Sequence, residues 1–295
     1  MTKHKWEMDV LDRDGLYQVL DSYLAALRQR DAGAVKWADN PITSENNVML
    51  EPGDGLWGTI DGLGDYRLCF ADTATGQVGY FGATHEHREE SGFTLRLKVD
   101  AAGRVEEAES IVVRQSDYGI KFENPRFWDK PILQANAKVP TPRDEMIALS
   151  NGYFSTLEQN DGAIHTRFHP DCNRVENGVQ TTRNPDFAKI VPVSALGCEE
   201  QFRMGNYRYD DRLRGRRFPL VDEERGLVLA YGFIDHCGRI VEYQLTDGRT
   251  VQSPIRYPHS FYLAELFKID DGMICQIEAN FITVPYHMKS PWDGQ

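Results

Sequence analysis

Apolar residues recur at three- and four-residue spacing from Asp12 to Arg30, where Leu16, Val19, Leu20, Tyr23, Leu24 and Leu27 form one continuous stripe. That period predicts an amphipathic helix. Asp31 to Ala38 reads as a second, short helical piece ending before Pro41, and Asp65 to Ala71 as a helix or a strand. The period then drops to two. Strands are predicted over Val78 to His87, Phe93 to Val99 and Val105 to Arg114, with the turn Asp100-Ala101-Ala102-Gly103 joining the last two. In the middle strand Phe93, Leu95, Leu97 and Val99 share one face, and Arg96 and Lys98 take the other.

Residues 117–142 lose periodicity and carry four prolines, which predicts a partly ordered linker; Phe122, Phe127, Trp128 and Ile132 should pin parts of it to a surface. The pattern then restarts. Arg143 to Asn160 is a predicted helix with Met146, Leu149, Tyr153, Phe154 and Leu157 on one face, and Gly162 to Phe168 a short second one. Cys172 to Thr182 reads as a strand, and Gly226 to Cys237, Pro258 to Ile269 and Met273 to Pro285 as three more, the last two joined by Asp270-Asp271-Gly272. Helix, helix, strand and three antiparallel strands thus occur twice, which predicts a tandem duplication. The expected organisation is a first unit at 1–116, the linker at 117–142, and a second unit at 143–295 with an insertion at about 183–225. Each unit is of the α+β class, helices packed on one face of a curved antiparallel sheet.

This order of elements resembles the ketosteroid-isomerase-like, or nuclear-transport-factor-2-like (SnoaL-like), cone fold. The residues that carry the resemblance are Val175-Glu176-Asn177-Gly178 after the helical pair and the hairpins Arg96 to Val105 and Leu266 to Ile274. It extends over both units but not over the linker or the insertion. The tandem form, with Ser44-Glu45-Asn46-Asn47 in the first unit and Cys172 to Thr182 in the second, is similar to a bacterial and fungal family of poorly assigned function. The resemblance implies two tandem cones, each with a deep apolar pocket used for cofactor-free proton transfer, for ligand binding or for assembly.

Hydrophobic residues at 41% and charged residues at 26% suit a globular chain with a real core. A net charge of −12 disfavours nucleic acid and anionic membrane as partners. No window is long and apolar enough to span a bilayer, the N-terminus lacks a secretory apolar core, and five dispersed cysteines suit reduced thiols, so a cytoplasmic protein is expected. No nucleotide loop or metal-ligand spacing occurs, and no cofactor or metal is expected. His165, Arg167 and His169 read as an exposed helix end, and His85-Glu86-His87 alternates across a strand.

Strand parity ranks the candidates. In Pro258 to Ile269 the face with His259, Phe261, Leu263, Glu265 and Phe267 reads as the pocket side; the corresponding sets are Leu227, Leu229, Tyr231, Phe233 and Asp235, and Cys275, Ile277, Ala279, Phe281 and Thr283. His259 is the candidate acid or base, since imidazole exchanges protons near neutral pH, with Glu176 its partner and Arg174 the anion holder; an Arg174–Glu176 ion pair is the plainer reading. Tyr153, Asn177, Tyr231, Phe261, Glu265 and Phe281 complete the expected substrate-binding set. Asn177 falls where the resemblance implies a catalytic aspartate, and an amide cannot abstract a proton. Glu45, Arg67, Asp72 and Arg114 read as a structural charge network or a second site, in a unit whose favoured role is that of a scaffold.

Phe202, Tyr207, Tyr209 and Phe218, interleaved with Arg203, Arg208, Arg212, Arg214, Arg216 and Arg217, suggest either a lid closing over an aromatic, anionic substrate or a homo-oligomer interface. What the resemblance implies for activity is a cofactor-independent lyase or isomerase acting on a small aromatic molecule, for example retro-aldol loss of formaldehyde from lignin-derived diaryl compounds. A binding protein for aromatic or polyketide-like ligands and an assembly module are the alternatives.

Overall fold

The computed structural model describes residues 11–114 and 131–293; Phe122, Phe127 and Trp128, expected to pin the linker, lie outside the described residues. In the first unit, helix α1 (Arg13–Gln29) begins where the Asp12 carboxylate accepts from Gly15 N at 2.8 Å and ends at Arg30 in the left-handed region. Six strands follow: β1 (Trp37–Glu45), β2 (Val48–Met49), β3 (Ile60–Asp72), β4 (Gln77–Glu86), β5 (Glu89–Val99) and β6 (Val105–Val113). A short helix α2 (Pro131–Gln134) leads to α3 (Arg143–Gln159), which opens the second unit. There β7 (Phe168–Glu176), β8 (Val179–Gln180), α4 (Cys198–Arg203), β9 (Arg212–Asp222) and β10 (Leu227–His236) precede a small hairpin, β11 (Glu242–Gln244) and β12 (Thr250–Gln252), and then β13 (His259–Asp270) and β14 (Met273–Val284).

The strand order is β2-β1-β6-β5-β4-β3 in one sheet and β8-β7-β14-β13-β10-β9 in the other, the same topology twice. In each, one parallel pairing (β1 with β6, β7 with β14) joins antiparallel neighbours. The chain is therefore α+β, with two six-stranded mixed sheets and few helices, each sheet built on the same plan. Several expectations need correction. The second helical pieces are absent: Asp31 to Ala38 holds one 3-10 turn (Ala32–Ala34) before β1, and β7 starts at Phe168 without a helix before it. Cys172 to Thr182 is a tight hairpin, turning at Asn177 and Gly178, which both have positive φ. The expected insertion at 183–225 contains β9, a sheet strand paired with β10, so within it residues 183–211 depart from the plan of the first unit, as does the β11–β12 hairpin between β10 and β13.

Four layers result. One face of the first sheet packs on α1 through Leu16, Leu20, Leu24, Tyr80, Phe93, Leu95 and Leu97; one face of the second packs on α3 through Met146, Tyr153, Phe154, Val228, Leu263 and Phe267. The opposite faces meet each other in a shared core of Leu68, Phe70, Phe81 and Ile111 against Leu220, Leu229, Tyr231, Phe233, Tyr262 and Leu266. Both faces of each sheet are thus buried, as expected when neither faces water. Reciprocal ion pairs tie the units. The Asp222 carboxylate, fully buried, accepts from Arg13 at 2.7 and 2.8 Å and from Ala71 N at 2.9 Å. Asp72 accepts from Arg143 at 2.5 and 3.2 Å and from Val221 N at 3.0 Å. Each acid ends an edge strand of one unit and holds the first residue of the other unit's helix.

Trp292 closes this interface. Its ring lies 5.0 Å from the Arg96 guanidinium and 5.6 Å from that of Arg217, and its indole N–H donates to Ser44 Oγ at 3.1 Å. Trp292→Ala should therefore cost about 3–5 kcal/mol, the usual range for removing a buried aromatic. Urea unfolding checks this, since a loosely attached tail would give a change within about 0.5 kcal/mol.

Candidate active site

The second cone encloses a cavity of about 250 Å³; the corresponding space in the first unit is about 30 Å³. The difference is written in side chains. In the first unit Tyr23 packs edge-on against Trp37 and Trp57, at 5.9 and 5.3 Å between centroids. Aligning the sheets by register sets Thr43 opposite the role of Arg174, and Leu95 opposite that of Glu265. Glu45, the counterpart of Glu176, accepts from Leu56 N at 2.6 Å and from Arg114 at 3.1 Å. The charge network expected there is divided: Arg114 joins Glu45 and Glu86, whereas Arg67 reaches Asp21 and Asp72 reaches Arg143.

The cavity walls are largely apolar: Leu157 from α3, Leu263 and Phe261 from β13, Ile234 from β10, and Ala279 and Phe281 from β14. Phe187, Val191, Val193, Tyr207 and Tyr209 from residues 183–211 cover it, so this segment forms a lid over the cavity. At the polar end β7 presents Arg174 and Glu176 on one face, two positions apart. The guanidinium is 2% exposed and thoroughly engaged. Nε lies 3.2 Å from both Glu176 and Thr181 Oγ1, Nη1 donates to Tyr153 OH at 3.4 Å, and Nη2 donates to Gln201 Oε1 at 2.7 Å and to Tyr207 OH. The rings of Phe202 and Tyr207 lie 5.8 and 5.4 Å from it.

Glu265, in the middle of β13 and 3% exposed, borders the same cavity. Burial pushes its carboxyl up to about 8; the Glu176 charge adds to this, and Arg174 and a hydrogen bond with Tyr153 oppose it. At neutral pH the site therefore holds one protonated carboxyl beside an Arg174–Glu176 ion pair. The Tyr153 hydroxyl is held well above its ordinary value by burial. Toward the other end, His236 Nε2 lies 2.9 Å from Asp210, whose carboxyl is raised by burial.

Among the expected site residues, Arg174, Glu176, Tyr153, Glu265, Phe261 and Phe281 come together around this cavity. Three do not. Tyr231 faces the shared core between the sheets, stacked on Tyr262 at 6.1 Å and beneath the Arg217 guanidinium at 5.0 Å. Register explains this: Ile234 pairs with Phe261 and His236 with His259, so the even positions of β10 join the odd positions of β13 on the cavity face. Asn177 is buried at the hairpin turn, with its amide donating to Phe281 O at 3.0 Å and accepting from Phe281 N at 2.8 Å. Asn46 makes the same clamp on Val112 in the first unit, so both amides fix a turn to a strand and neither reaches a ligand. His259 stacks on His236 at 4.7 Å, its Nδ1 is 2.8 Å from Tyr257 O, and burial lowers its imidazole; His236 is the imidazole that borders the cavity.

The arginines of the lid and of β9 do not supply a cationic pocket. Arg203 pairs with Glu199, Arg212 and Arg214 with Asp235, Arg216 with Glu158 and Arg217 with Glu109, and Arg208, whose buried Nε has no hydrogen-bond partner among the described residues, does not line the cavity. His236 and Asp210 were missed as a pair because they are 26 residues apart in sequence and meet only when the lid folds back on β10. Among the described residues no group of three or more His, Cys, Asp or Glu side chains is placed to hold a metal ion, and no helix is long and apolar enough to cross a membrane.

An enclosed apolar cavity with a few converging polar groups is the usual form of a small-molecule site. A family profile described as a domain of unknown function (DUF8021) matches residues 140–281, which carry every cavity-lining residue. No curated protein matches the sequence. Among solved structures, the chain is similar to a SnoaL-like family protein from Agrobacterium tumefaciens at 14% identity, covering 34% of this chain and 97% of that one with a TM-score of 0.25. It is also similar to an NTF2-like protein of unknown function from Cytophaga hutchinsonii (10% identity, 47% and 97% coverage, TM-score 0.25) and to LinA (11% identity, 50% and 91% coverage, TM-score 0.27). Likeness at these identities concerns the fold alone.

Proposed function

We propose that the second cone is the active site of a cofactor-independent lyase or isomerase for a small aromatic molecule, and that the first cone serves as its scaffold. The observation that carries this reading is Glu265: a buried carboxyl, protonated at neutral pH, in an apolar cavity beside a carboxylate held by Arg174. Two carboxyl groups with separated protonation states are the general arrangement for acid and base on one substrate. Glu265 is the proton donor to a substrate oxygen and Glu176 the acceptor of a proton from carbon or from a hydroxyl. In an elimination, Glu176 takes the proton from carbon, the electron pair forms the new double bond, and the leaving hydroxyl departs as water with the Glu265 proton. In a retro-aldol step, Glu176 takes the hydroxyl proton, the carbon–carbon bond breaks to release formaldehyde, and the carbon left behind takes the proton of Glu265. Phe261 and Phe281, 4.8 Å apart between centroids, are the walls against which the ring rests. A diaryl substrate would place one ring here and the other at the mouth.

Incubation with a panel of aromatic alcohols and lignin-derived dimers, without added cofactor, tests this by mass spectrometry. The expected result is fragment loss or isomerisation of at least one compound by the wild type and not by Glu265→Gln. Ligands recovered bound and unchanged across the panel would make the protein a binder.

A further inference from the structure

We propose that this cavity selects an uncharged aromatic molecule with an oxygen-bearing side chain and rejects the matching carboxylate. The inference deepens the reading of the second cone as a small-molecule site and rests on it. It departs from the sequence pattern, in which six arginines around the lid suggested an anionic substrate.

Among the described residues that line the cavity, Arg174 is the one guanidinium, and no lysine is present. Both N–H groups of its Nη2 are directed to Gln201 and Tyr207, its Nε–H to Glu176 and Thr181, and aromatic rings lie near it. A bidentate grip on a ligand carboxylate needs two parallel N–H donors, and here these already have acceptors. His236, the other group able to carry positive charge, is paired with Asp210 at 2.9 Å. Of the cations of the lid and β9, Arg203, Arg212, Arg214, Arg216 and Arg217 are held by Glu199, Asp235, Glu158 and Glu109 and Lys189 by Asp186, and neither these nor Arg183 and Arg208 line the cavity. Glu176 and Asp210 would also repel an anion. A ligand carboxylate entering this space would lose its water and gain no free counter-charge, an uncompensated burial that proteins rarely tolerate. A neutral hydroxyl or carbonyl meets the opposite situation: Glu265 and Tyr153 offer hydrogen-bonding groups, and much of the remaining wall is apolar.

Size agrees with one enclosed ring. A dry cavity of about 150 Å³ accepts benzene, so the space here takes a ring and a short side chain.

The test is titration calorimetry at pH 7 with three probes that differ only at the chain end: 3-phenylpropan-1-ol, 3-phenylpropanoate and 3-phenylpropylamine. The alcohol should bind at least about a hundredfold tighter than the carboxylate, the equivalent of roughly 2.7 kcal/mol, and no more weakly than the amine. Glu176→Gln, which leaves Arg174 without its carboxylate, should raise affinity for the carboxylate and narrow that gap at least tenfold. A second measurement needs no variant: with the wild type, affinity for the acid should rise toward that of the alcohol as pH falls through the ligand's own pKa. Equal or tighter binding of the carboxylate, tighter binding of the amine than of the alcohol, or no binding of any probe, overturns the inference. Binding of the alcohol with no turnover across the wider panel removes the catalytic proposal and leaves this selection standing.

Discussion

Glu265→Gln is expected to lower turnover by about a hundredfold or more while the substrate still binds, because the amide keeps the shape and loses the transferable proton. The pH profile gives the sign. The acid form works only while protonated, so wild-type activity should hold through neutral pH and fall as pH rises through about 8. Stability should carry the same signature. The folded carboxyl titrates near 8 and the unfolded one near 4.5, so between those values the folded state holds an extra proton. Its contribution is fully present below about 4.5 and is lost as pH climbs toward 8, at on the order of 1 kcal/mol per pH unit. Glu265→Gln should flatten that decline, becoming more stable relative to the wild type as pH rises. A variant with unchanged turnover on an identified substrate would remove Glu265 from the chemistry.

Asp222→Ala should be among the most destabilising single changes outside the cavity. The carboxylate is fully buried and holds Arg13 and Ala71 N across the interface, so its loss leaves a buried amide without its acceptor and a partly buried guanidinium with only the exposed Glu224 as counter-charge. Breaking such a pair typically costs about 3–5 kcal/mol, a fall in Tm on the order of 10 °C for a chain of this size. Asp72→Ala should behave alike, because Asp72 performs the reciprocal task on Arg143 and Val221 N. The double variant Arg13→Ala/Asp222→Ala should lose less than the sum of its parts. Urea unfolding of the four proteins decides this: additive losses below about 1 kcal/mol each would make these ordinary surface pairs.

The periodic stretches were legible in the chain: α1, α3 and the long hairpins fall within a residue or two of where their patterns place them, except that β5 starts at Glu89, four residues before the expected Phe93. Two of the strands that the pattern does not define, β3 (open between helix and strand over Asp65 to Ala71) and β9, are sheet edges. Gly62 and Gly64 interrupt β3, and Gly215 and Pro219 interrupt β9. An edge tolerates such residues, whereas a sequence pattern reads them as loop. The parity error at Tyr231 has a related cause. The two faces of β10 carry Val228, Ala230 and Ile234 against Leu229, Tyr231 and Phe233, both apolar, because one meets α3 and the cavity and the other meets the neighbouring sheet. Alternation reveals a buried face only when the other face is wet. Arg174, Glu176 and Glu265 were readable because a charge on a strand face otherwise lined by Phe261, Leu263 and Phe267 contrasts with its surroundings. The Asn177 clamp and the His236–Asp210 pair depend on contacts distant in sequence, and nothing local encodes them.

On this reading the second cone holds a carboxyl kept protonated at neutral pH. The difference infrared spectrum between the wild type and Glu265→Gln, recorded from pH 5 to pH 10, tests it most directly. A protonated-carboxyl C=O band that persists at pH 7 and disappears with a midpoint near 8 is the predicted result. A band that vanishes with a midpoint near the ordinary 4.5 would contradict it.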